Sequence, residues 1–259
     1  MRKERPQQDS SASTSSASLP GGGNPDGARS EAVLRGRADQ RKGRVDDAVS
    51  IDVSKVFLFD NSAKNLIEAE LRDAITEKQL LNWEEQWIPA RDEINRRLKA
   101  AGVDRSKWPQ TGHWSWRDKH LGIKGSLSNP NFCVECAEET QGLMILDTLL
   151  SARLSSQIGK PIVYIDYLEV APWNRRYLPG DVPRYSAVGA ILMRAAIEVS
   201  LRENFRGRIG LHSLPQSNDW YANKCGMTDM GPDPAKQNLR YFEMTPEIAQ
   251  AFINKGSKP

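Results

Sequence analysis

Hydrophobic residues are sparse in residues 1–50 and become periodic from residue 51 onward. The apolar run within 51–60 predicts a short strand that ends at a polar turn. From Ala63 to Gly102 apolar residues recur at helical spacing, with an interruption at Pro89. This part of the chain is therefore predicted to form two consecutive helices.

The second half of the chain alternates β-rich runs with helical stripes. Residues 132–137 and 142–150 predict a hairpin, and residues 161–170 predict a long third strand. After a loop at 173–183, the stripe over 185–204 predicts a helix. The remaining predicted elements are a strand at 208–212, a short helix at 218–224, a strand at 239–244 and a last helix that begins at Thr245. Strands that precede and alternate with helices predict an α/β or α+β fold with a mixed sheet.

The composition of residues 1–50 differs from that of the rest of the chain. This stretch is rich in Ser, Gly, Pro, Gln and Arg, so it cannot bury enough apolar area to offset its chain entropy. We expect a disordered basic tail followed by one folded domain, 51–259. Nine of the 36 basic and five of the 33 acidic residues lie in 1–45, which leaves the remainder with a net charge of −1. A nearly neutral folded domain argues against a nucleic-acid reader.

Three cysteines among 259 residues cannot form a disulfide framework without leaving one over. The sequence also has no apolar run of the roughly 18 residues that a membrane helix requires, and no apolar stretch typical of a secretory signal. We therefore expect an intracellular, cytoplasmic protein that does not insert into a membrane.

Small residues stand at the predicted start of the helix over 185–204, in the stretch Arg184-Tyr185-Ser186-Ala187-Val188-Gly189-Ala190. Backbone N–H groups at a helix N-terminus can approach a diphosphate where side chains are small, and the helix dipole favours the negative charge. Close packing of the helix on a sheet is the commoner reason for small residues at such a position.

Three segments together give a more specific pattern. They are a β-run that ends Leu168-Glu169-Val170-Ala171-Pro172, the motif Arg184-x-x-Ala187-x-Gly189, and Asn218 and Tyr221 ahead of Cys225-Gly226-Met227. This combination resembles the GCN5-related N-acetyltransferase (GNAT) superfamily, clearly over about 161–245. Two departures stand out, because Ala187 replaces the usual first glycine and the loop at 173–183 is longer.

The resemblance implies a mixed, mostly antiparallel central sheet with flanking helices, and acetyl-CoA as acyl donor without a metal. It implies that backbone groups of Leu168 and Val170 contact the thioester and pantetheine, and that Asn218 also contacts pantetheine. It implies that Tyr221 protonates the departing thiolate, unless Tyr221 is a core residue with a satisfied hydroxyl. The residues implied to hold the diphosphate are Arg184, Tyr185, Ser186, Ala187, Val188, Gly189 and Ala190.

An amine that attacks a thioester must lose a proton, so the site requires a base or an ordered water. Strand alternation puts Asp166 on the same face as Leu168, and Tyr167 and Glu169 on the other face, unless a bulge shifts the register. Asp166 is therefore the first candidate base and His212, at the end of the next strand, the second. Both have a structural alternative, an ion-paired carboxylate and a core histidine.

The spacing of the cysteines and histidines is also compatible with a zinc site, with His113, His120, Cys133 and Cys136 as ligands. Residues three apart in a strand face opposite sides of a sheet, however, and no glycine follows the second cysteine. Buried free thiols are therefore the preferred interpretation, and Cys225 is interpreted as a packing residue.

Two further groups combine a functional with a structural interpretation. Trp108, Trp114 and Trp116 are suited to line an acceptor site, although closing a small core is the commoner role of such residues. Arg175 and Arg176, in the lengthened loop, are suited to meet a phosphate of CoA or else form a solvated basic turn.

Together these patterns favour an acetyl-CoA-dependent N-acetyltransferase that uses direct attack by an amine in a ternary complex. The alternative is a catalytically silent acyl-CoA-binding or interaction protein on the same fold, which the replacement by Ala187 motivates. The expected partners are acetyl-CoA, an amine acceptor and, as an option, a second copy of the chain.

Overall fold

The computed structural model describes residues 51–256. The tail predicted over 1–50 lies outside the described residues and stays a prediction. Within 51–256 there are nine strands in one sheet. They are β1 (Val53–Asp60), β2 (Asn65–Arg72), β3 (Asn131–Cys136), β4 (Glu139–Asp147), β5 (Val163–Val170), β6 (Tyr185–Ser186), β7 (Ile209–Ser213), β8 (Thr228–Asp233) and β9 (Leu239–Met244).

The strands lie side by side in the order β6-β1-β2-β3-β4-β5-β7-β9-β8. Every pair of neighbours is antiparallel except β5 and β7, which run parallel. The predicted fold class, a mixed and mostly antiparallel sheet with flanking helices, is confirmed.

Five α-helices flank the sheet in the described part of the chain: α1 (Glu77–Asn82), α2 (Ile88–Ala100), α3 (Trp116–Gly122), α4 (Val188–Arg202) and α5 (Pro246–Gly256). A π-helical turn, Trp83–Trp87, joins α1 to α2 without a break. Pro89 does not interrupt the helix as predicted: it lies in the first turn of α2, directly after the π-helical turn.

The predicted helix that starts at Ala63 is wrong, because that stretch forms β2. Asp60 accepts hydrogen bonds from the backbone N–H groups of Ser62 (2.8 Å) and Ala63 (2.9 Å), which turn the chain straight back beside β1. Apolar residues in β2 then alternate with period two, and this pattern overlaps the helical spacing that continues into α1. The helix predicted over 185–204 likewise begins later, at Val188, since Tyr185 and Ser186 pair with β1.

The sheet separates two cores. One core, which we call the α4 core, lies between the sheet and α4 and α5 and includes Leu58, Leu192 and Phe242. The tryptophan core lies on the other face under α1–α3 and includes Trp87 and Trp116. In the part of the chain that the structure covers, no helix combines the length and the apolar character needed to cross a bilayer.

Candidate functional site

The two parallel strands at the centre of the sheet separate part-way along their length. Val163–Ile165 of β5 pairs with Ile209–Leu211 of β7, and β5 then continues to Val170 with no strand on that side. The separation begins at a β-bulge in β5. Asp166 is the bulged residue, since the register between β4 and β5 skips it. A bulge bends its strand and adds local twist, so β5 turns away from β7 at this residue.

Because of the bulge, the side chains of β5 do not alternate between the two faces of the sheet as predicted. Ile165 and Leu168 both pack on the α4 core, whereas Tyr167 packs on the tryptophan core. Glu169 is also buried on that face, where its carboxylate accepts a hydrogen bond from Trp116 Nε1 at 2.6 Å. Burial raises the pKa of Glu169, although the bonds to this carboxylate oppose that effect. Asp166 is left at the bulge itself, so it does not share the face of Leu168.

A cleft of about 360 Å³ lies between the end of β5 and the start of α4, and we call it the α4 cleft. Eight of the ten residues predicted to bind CoA line it; Arg184 and Asn218 do not. The eight are Leu168, Val170, Tyr185, Ser186, Ala187, Val188, Gly189 and Ala190. The other lining residues are Glu169, Asn174, Arg175, Pro183, Gln216, Ser217, Trp220 and Tyr221.

The start of α4 presents free backbone donors to this cleft. The first intrahelical bond is Ile191 N–H to Ala187 C=O (3.0 Å), and the three preceding N–H groups have no acceptor within residues 51–256. Ala187 has φ of 79°, the left-handed conformation that glycine adopts without strain. The replacement of the usual glycine has therefore left the backbone in a glycine-like conformation.

A glycine in the sheet allows α4 to lie close to β4. A Cβ atom on Gly142 would lie 2.7 Å from a Val188 methyl carbon and 2.9 Å from one of Leu192, closer than any stable contact. Gly142 pairs with Val170 across the sheet, directly beneath the α4 cleft. The depth of the cleft therefore depends on this glycine.

Two arginines near the cleft have different surroundings. Arg184 forms an ion pair with Glu139, and its guanidinium lies 5.1 Å from the centre of the Tyr185 ring. Arg175 lines the cleft, and no carboxylate of residues 51–256 lies within ion-pair distance of it. Arg175 is therefore the cation that the described chain leaves available to a bound anion. The sequence had suggested it only as one of two loop arginines.

The lengthened loop that carries Arg175 is fixed by side chains at both ends. Asn174 donates to Gln141 Oε1 (2.9 Å) and accepts from the N–H of Tyr185 (2.9 Å). Asp181 accepts from Arg97 of α2 at 2.5 Å. Ordering of this loop means that Arg175 is held at the cleft wall rather than on a free turn.

A second cavity, of about 310 Å³, adjoins the cleft, and we call it the His212 cavity. Leu168, Ser217 and Tyr221 line both spaces. All three residues predicted to be catalytic line it: Asp166, His212 and Tyr221. The wall also contains His113, Trp114, Tyr164, Tyr167 and Lys236, which come from three separate stretches of the chain.

Tyr221 is buried at the junction of the two spaces. It lies in a π-helical turn, Trp220–Lys224, in which Cys225 N–H bonds to Trp220 C=O at 3.0 Å. Its hydroxyl makes no hydrogen bond to any residue within 51–256, and the side chain lines both spaces. Burial raises the pKa of Tyr221 above its ordinary range, and the phenol therefore keeps its proton at neutral pH.

The two candidate bases differ in their surroundings. Asp166 lies at the bulge and lines the His212 cavity. Desolvation raises the pKa of this carboxyl, while Lys236 and Lys119 oppose that effect. The His212 ring is buried and hydrogen-bonded at both nitrogens, to Tyr164 Oη (2.6 Å) and to Asp233 Oδ2 (2.9 Å). Burial lowers the pKa of His212 below its ordinary value of 6.5, although Asp233 opposes this effect. His212 is therefore neutral at pH 7.

The residues of the zinc hypothesis do not come together. Cys133 lies in the tryptophan core and Cys136 in the α4 core, on opposite faces of β3. Within residues 51–256 no three side chains of His, Cys, Asp or Glu are grouped as metal ligands. All three thiols are buried and free, and burial raises the pKa of Cys225 to about 12, as expected for a packing residue.

Of the three tryptophans predicted as a possible acceptor wall, Trp114 and Trp116 meet edge to face, with ring centres 6.4 Å apart, and Trp108 lies apart from them. Trp114 lines the His212 cavity, and Lys119 Nζ lies 4.9 Å from its ring centre. Trp116 is fully buried in the tryptophan core. Trp108 lies elsewhere, where its Nε1 donates to Val103 C=O at 2.9 Å. Only Trp114 therefore lines the cavity.

A comparison with family models finds no match, and a comparison with curated proteins finds none either. Solved structures are similar at low identity. RimJ of Mycobacterium smegmatis, in complex with CoA-disulfide, is 16% identical with a TM-score of 0.42, over 79% of this chain and 95% of its own. The PaiA N-acetyltransferase of Thermoplasma acidophilum, in complex with coenzyme A, is 12% identical with a TM-score of 0.42, over 68% of this chain and 98% of its own.

A protein from Corynebacterium glutamicum described as histone acetyltransferase HPA2 and related acetyltransferase is 15% identical, with a TM-score of 0.39, over 67% of this chain and 93% of its own. Solved acetyltransferases are thus among the structures to which this chain is similar at low identity.

Proposed function

We propose that the protein is an acyl-CoA-dependent N-acyltransferase that transfers an acetyl group from acetyl-CoA to an amine by direct attack in a ternary complex. The observation that carries this proposal is the junction of two adjoining spaces at Tyr221. Two substrates held one in each space would meet beside a protonated phenol. A direct transfer requires that encounter, since no covalent enzyme intermediate is involved.

The α4 cleft suits the donor at both of its ends. The free N–H groups of Val188, Gly189 and Ala190 and the positive end of the helix dipole favour a diphosphate. Arg175 adds a positive charge at the wall of the cleft. At the other end, β5 beyond Ile165 has an unpaired backbone edge, which can bond the amide groups of pantetheine as a neighbouring strand would.

Two polar atoms near the cleft also favour an amide-containing ligand. Gln216 Nε2 and Asn218 Oδ1 are buried without a hydrogen-bond partner among the described residues. Buried polar groups are almost always paired, so an orphaned donor and acceptor point to a missing partner. The amides of pantetheine carry both complementary groups, which keeps Asn218 a proposed ligand although it does not line the α4 cleft.

The chemistry then needs one acid and one base. The amine nitrogen attacks the thioester carbonyl, an N–C bond forms and the C–S bond breaks. Tyr221 gives its proton to the departing thiolate, and Asp166 or His212, directly or through water, accepts the proton that the amine loses. Asp166 and His212 both line the acceptor side, so either base is compatible with the cavity.

The test is titration of the full chain with acetyl-CoA, followed by thiol release with a panel of primary amines that includes amino-acid amides, dipeptides, polyamines and arylalkylamines. Saturable binding with thiol release for one or more amines is the expected result. Binding without release for any amine would instead favour the catalytically silent binder. Absence of binding would refute both.

A further inference from the structure

A chain of hydrogen bonds leads away from the wall of the His212 cavity. It runs from Tyr164 Oη to His212 Nδ1 (2.6 Å), and from His212 Nε2 to Asp233 Oδ2 (2.9 Å). Tyr164 and His212 lie on adjacent parallel strands, where Tyr164 is opposite Gly210, two residues before His212. Side chains two apart on a strand share a face, so the pairing of β5 with β7 brings the two rings together.

Asp233 is fixed as a carboxylate at the far end of this chain. Its oxygens also accept hydrogen bonds from Arg153 Nη1 (2.6 Å) and from the N–H of Ala235 (2.9 Å). These donors, with His212, hold the pKa of Asp233 at about 2. An ionised Asp233 can only accept hydrogen bonds, and His212 must therefore carry its proton on Nε2.

That tautomer determines the direction of the next bond. With the proton on Nε2, His212 Nδ1 has a free lone pair, so the hydroxyl of Tyr164 must be the donor. The side chain of His212 is 4% exposed, and Nδ1 is occupied by Tyr164. An amine in the cavity therefore reaches the lone pair of His212 only through the hydroxyl of Tyr164.

We propose that Tyr164 relays the acceptor amine's proton to His212, and that Asp233 positions His212 to receive it. This inference rests on the proposed acyltransfer. As the N–C bond forms, Tyr164 Oη takes a proton from the amine nitrogen and gives its own proton to His212 Nδ1. Tyr164 ends neutral, and His212 becomes an imidazolium beside Asp233. Tyr221 protonates the thiolate, so one proton enters and one leaves the reacting groups.

The charged groups around His212 support a ring that is neutral at rest and can accept a proton. Asp233 of β8 favours the imidazolium, whereas Arg153 and Lys236 disfavour it. The ring of Tyr241 in β9 lies against the imidazole at a tilt of 40°, with ring centres 4.8 Å apart, but its hydroxyl donates a hydrogen bond to Glu243 rather than to His212. Its phenol is thus adjacent to the relay without being a member of it.

The kinetic test uses the full chain, acetyl-CoA and the panel amine with the fastest thiol release. Tyr164→Phe is expected to lower kcat by about 10²-fold, the usual contribution of a positioned proton-transfer group. The KM for acetyl-CoA should change by less than about twofold, since Tyr164 does not line the α4 cleft. Tyr241→Phe is the matched control, because it removes a hydroxyl beside the same ring and should leave kcat within about twofold.

The pH profile separates this relay from Asp166. With wild type, log kcat should fall with decreasing pH as His212 becomes protonated, below pH 6.5 because burial lowers its pKa. Asp166→Asn should keep that limb, because the limb belongs to His212. Loss of the limb in Asp166→Asn, together with a Tyr164→Phe variant within about threefold of wild type, would overturn the relay while leaving the acyltransferase intact. Absence of thiol release with every amine would instead defeat the proposed function, and the relay with it.

A spectroscopic measurement tests the positioning role of Asp233 without turnover. In nitrogen NMR of the ¹⁵N-histidine-labelled protein, the His212 signal, identified by its loss in His212→Gln, should show a neutral ring with the proton on Nε2 at pH 7. Asp233→Asn should mix the two tautomers and lower kcat by at least tenfold, as misorientation of a catalytic histidine does. An unchanged tautomer and rate in Asp233→Asn would contradict the positioning role.

Discussion

The α4 cleft and the His212 cavity share Leu168, Ser217 and Tyr221, yet they are built in different ways. Much of the cleft wall is continuous in sequence, because six consecutive residues, 185–190, and the end of β5 form most of it. The cavity takes its polar side chains from segments that lie far apart in the sequence. A site made from consecutive backbone leaves a motif in the sequence, and a site assembled from distant side chains does not.

The largest expected effect lies at the junction of the two spaces. Tyr221→Phe should lower kcat by about 10²-fold, because the thiolate loses its proton donor. Affinity for acetyl-CoA should stay nearly unchanged, since the ring remains in place. Thiol-release kinetics and titration with acetyl-CoA measure the two quantities separately. Unchanged turnover would remove Tyr221 from the mechanism and reduce the junction to a packing contact.

The second prediction disturbs only the cleft. Gly142→Ala places a methyl group against Val188 and Leu192, and overpacking of this kind costs roughly 1–3 kcal/mol in the free energy of unfolding. Displacement of α4 should also weaken acetyl-CoA binding. Urea unfolding and titration test both effects. Gly122→Ala is the matched control, since a Cβ atom there has no heavy atom within 4 Å; equal effects in the two variants would contradict the packing explanation.

The third prediction compares the two arginines. Arg175→Gln should weaken acetyl-CoA binding by about tenfold, the loss of one charge-assisted bond to a phosphate. Arg184→Gln should weaken it less, because Glu139 already neutralises that guanidinium. Titration calorimetry at equal ionic strength gives both values. A larger loss for Arg184→Gln would mean that Arg184 leaves Glu139 and turns to the ligand, as the family motif implies.

The smallest expected effect is at the start of α4. Ala187→Gly removes the strain of an alanine in the left-handed conformation, but it also raises the conformational entropy of the unfolded chain. The two effects on the free energy of unfolding have opposite signs and are each about 1 kcal/mol. The midpoint temperature of thermal unfolding should therefore change by only a few degrees, and the affinity for acetyl-CoA should be retained. A marked gain in affinity would show that the alanine methyl group obstructs the cleft.

The contrast between the two spaces also explains what the sequence could predict. The motif over 184–190 and the β-run before Pro172 led to the cleft, and eight of the ten predicted residues line it. Arg184 does not line the cleft, and its ion pair with Glu139 of β4 joins residues too far apart in the sequence to leave a local signal. Tyr164 carried no signal at all, since its proposed role depends on pairing with residues 46 positions later.

The fold shows the same limit. The mixed sheet could be predicted because β1, β3, β4, β5, β7 and β9 each have their own apolar run, whereas β8 has none and was not predicted. The stretch from Ala63 was misassigned because two periodicities overlap in it, and the turn at Asp60 decides between them only once β1 offers a partner strand. The short β6 is likewise specified by that partner, as its two residues are too few to show any period.

The bulge at Asp166 makes the length of β5 as important as its composition. Removal of this one residue would leave every later residue of the strand with its present partner on β4 and on its present face, but it would remove the bend that turns β5 away from β7. Leu168 would still face the α4 core and Tyr167 the tryptophan core, so the loss would affect the separation of the two strands rather than the packing of either core. Related sequences should therefore vary in which residue occupies position 166 far more readily than in whether a residue occupies it.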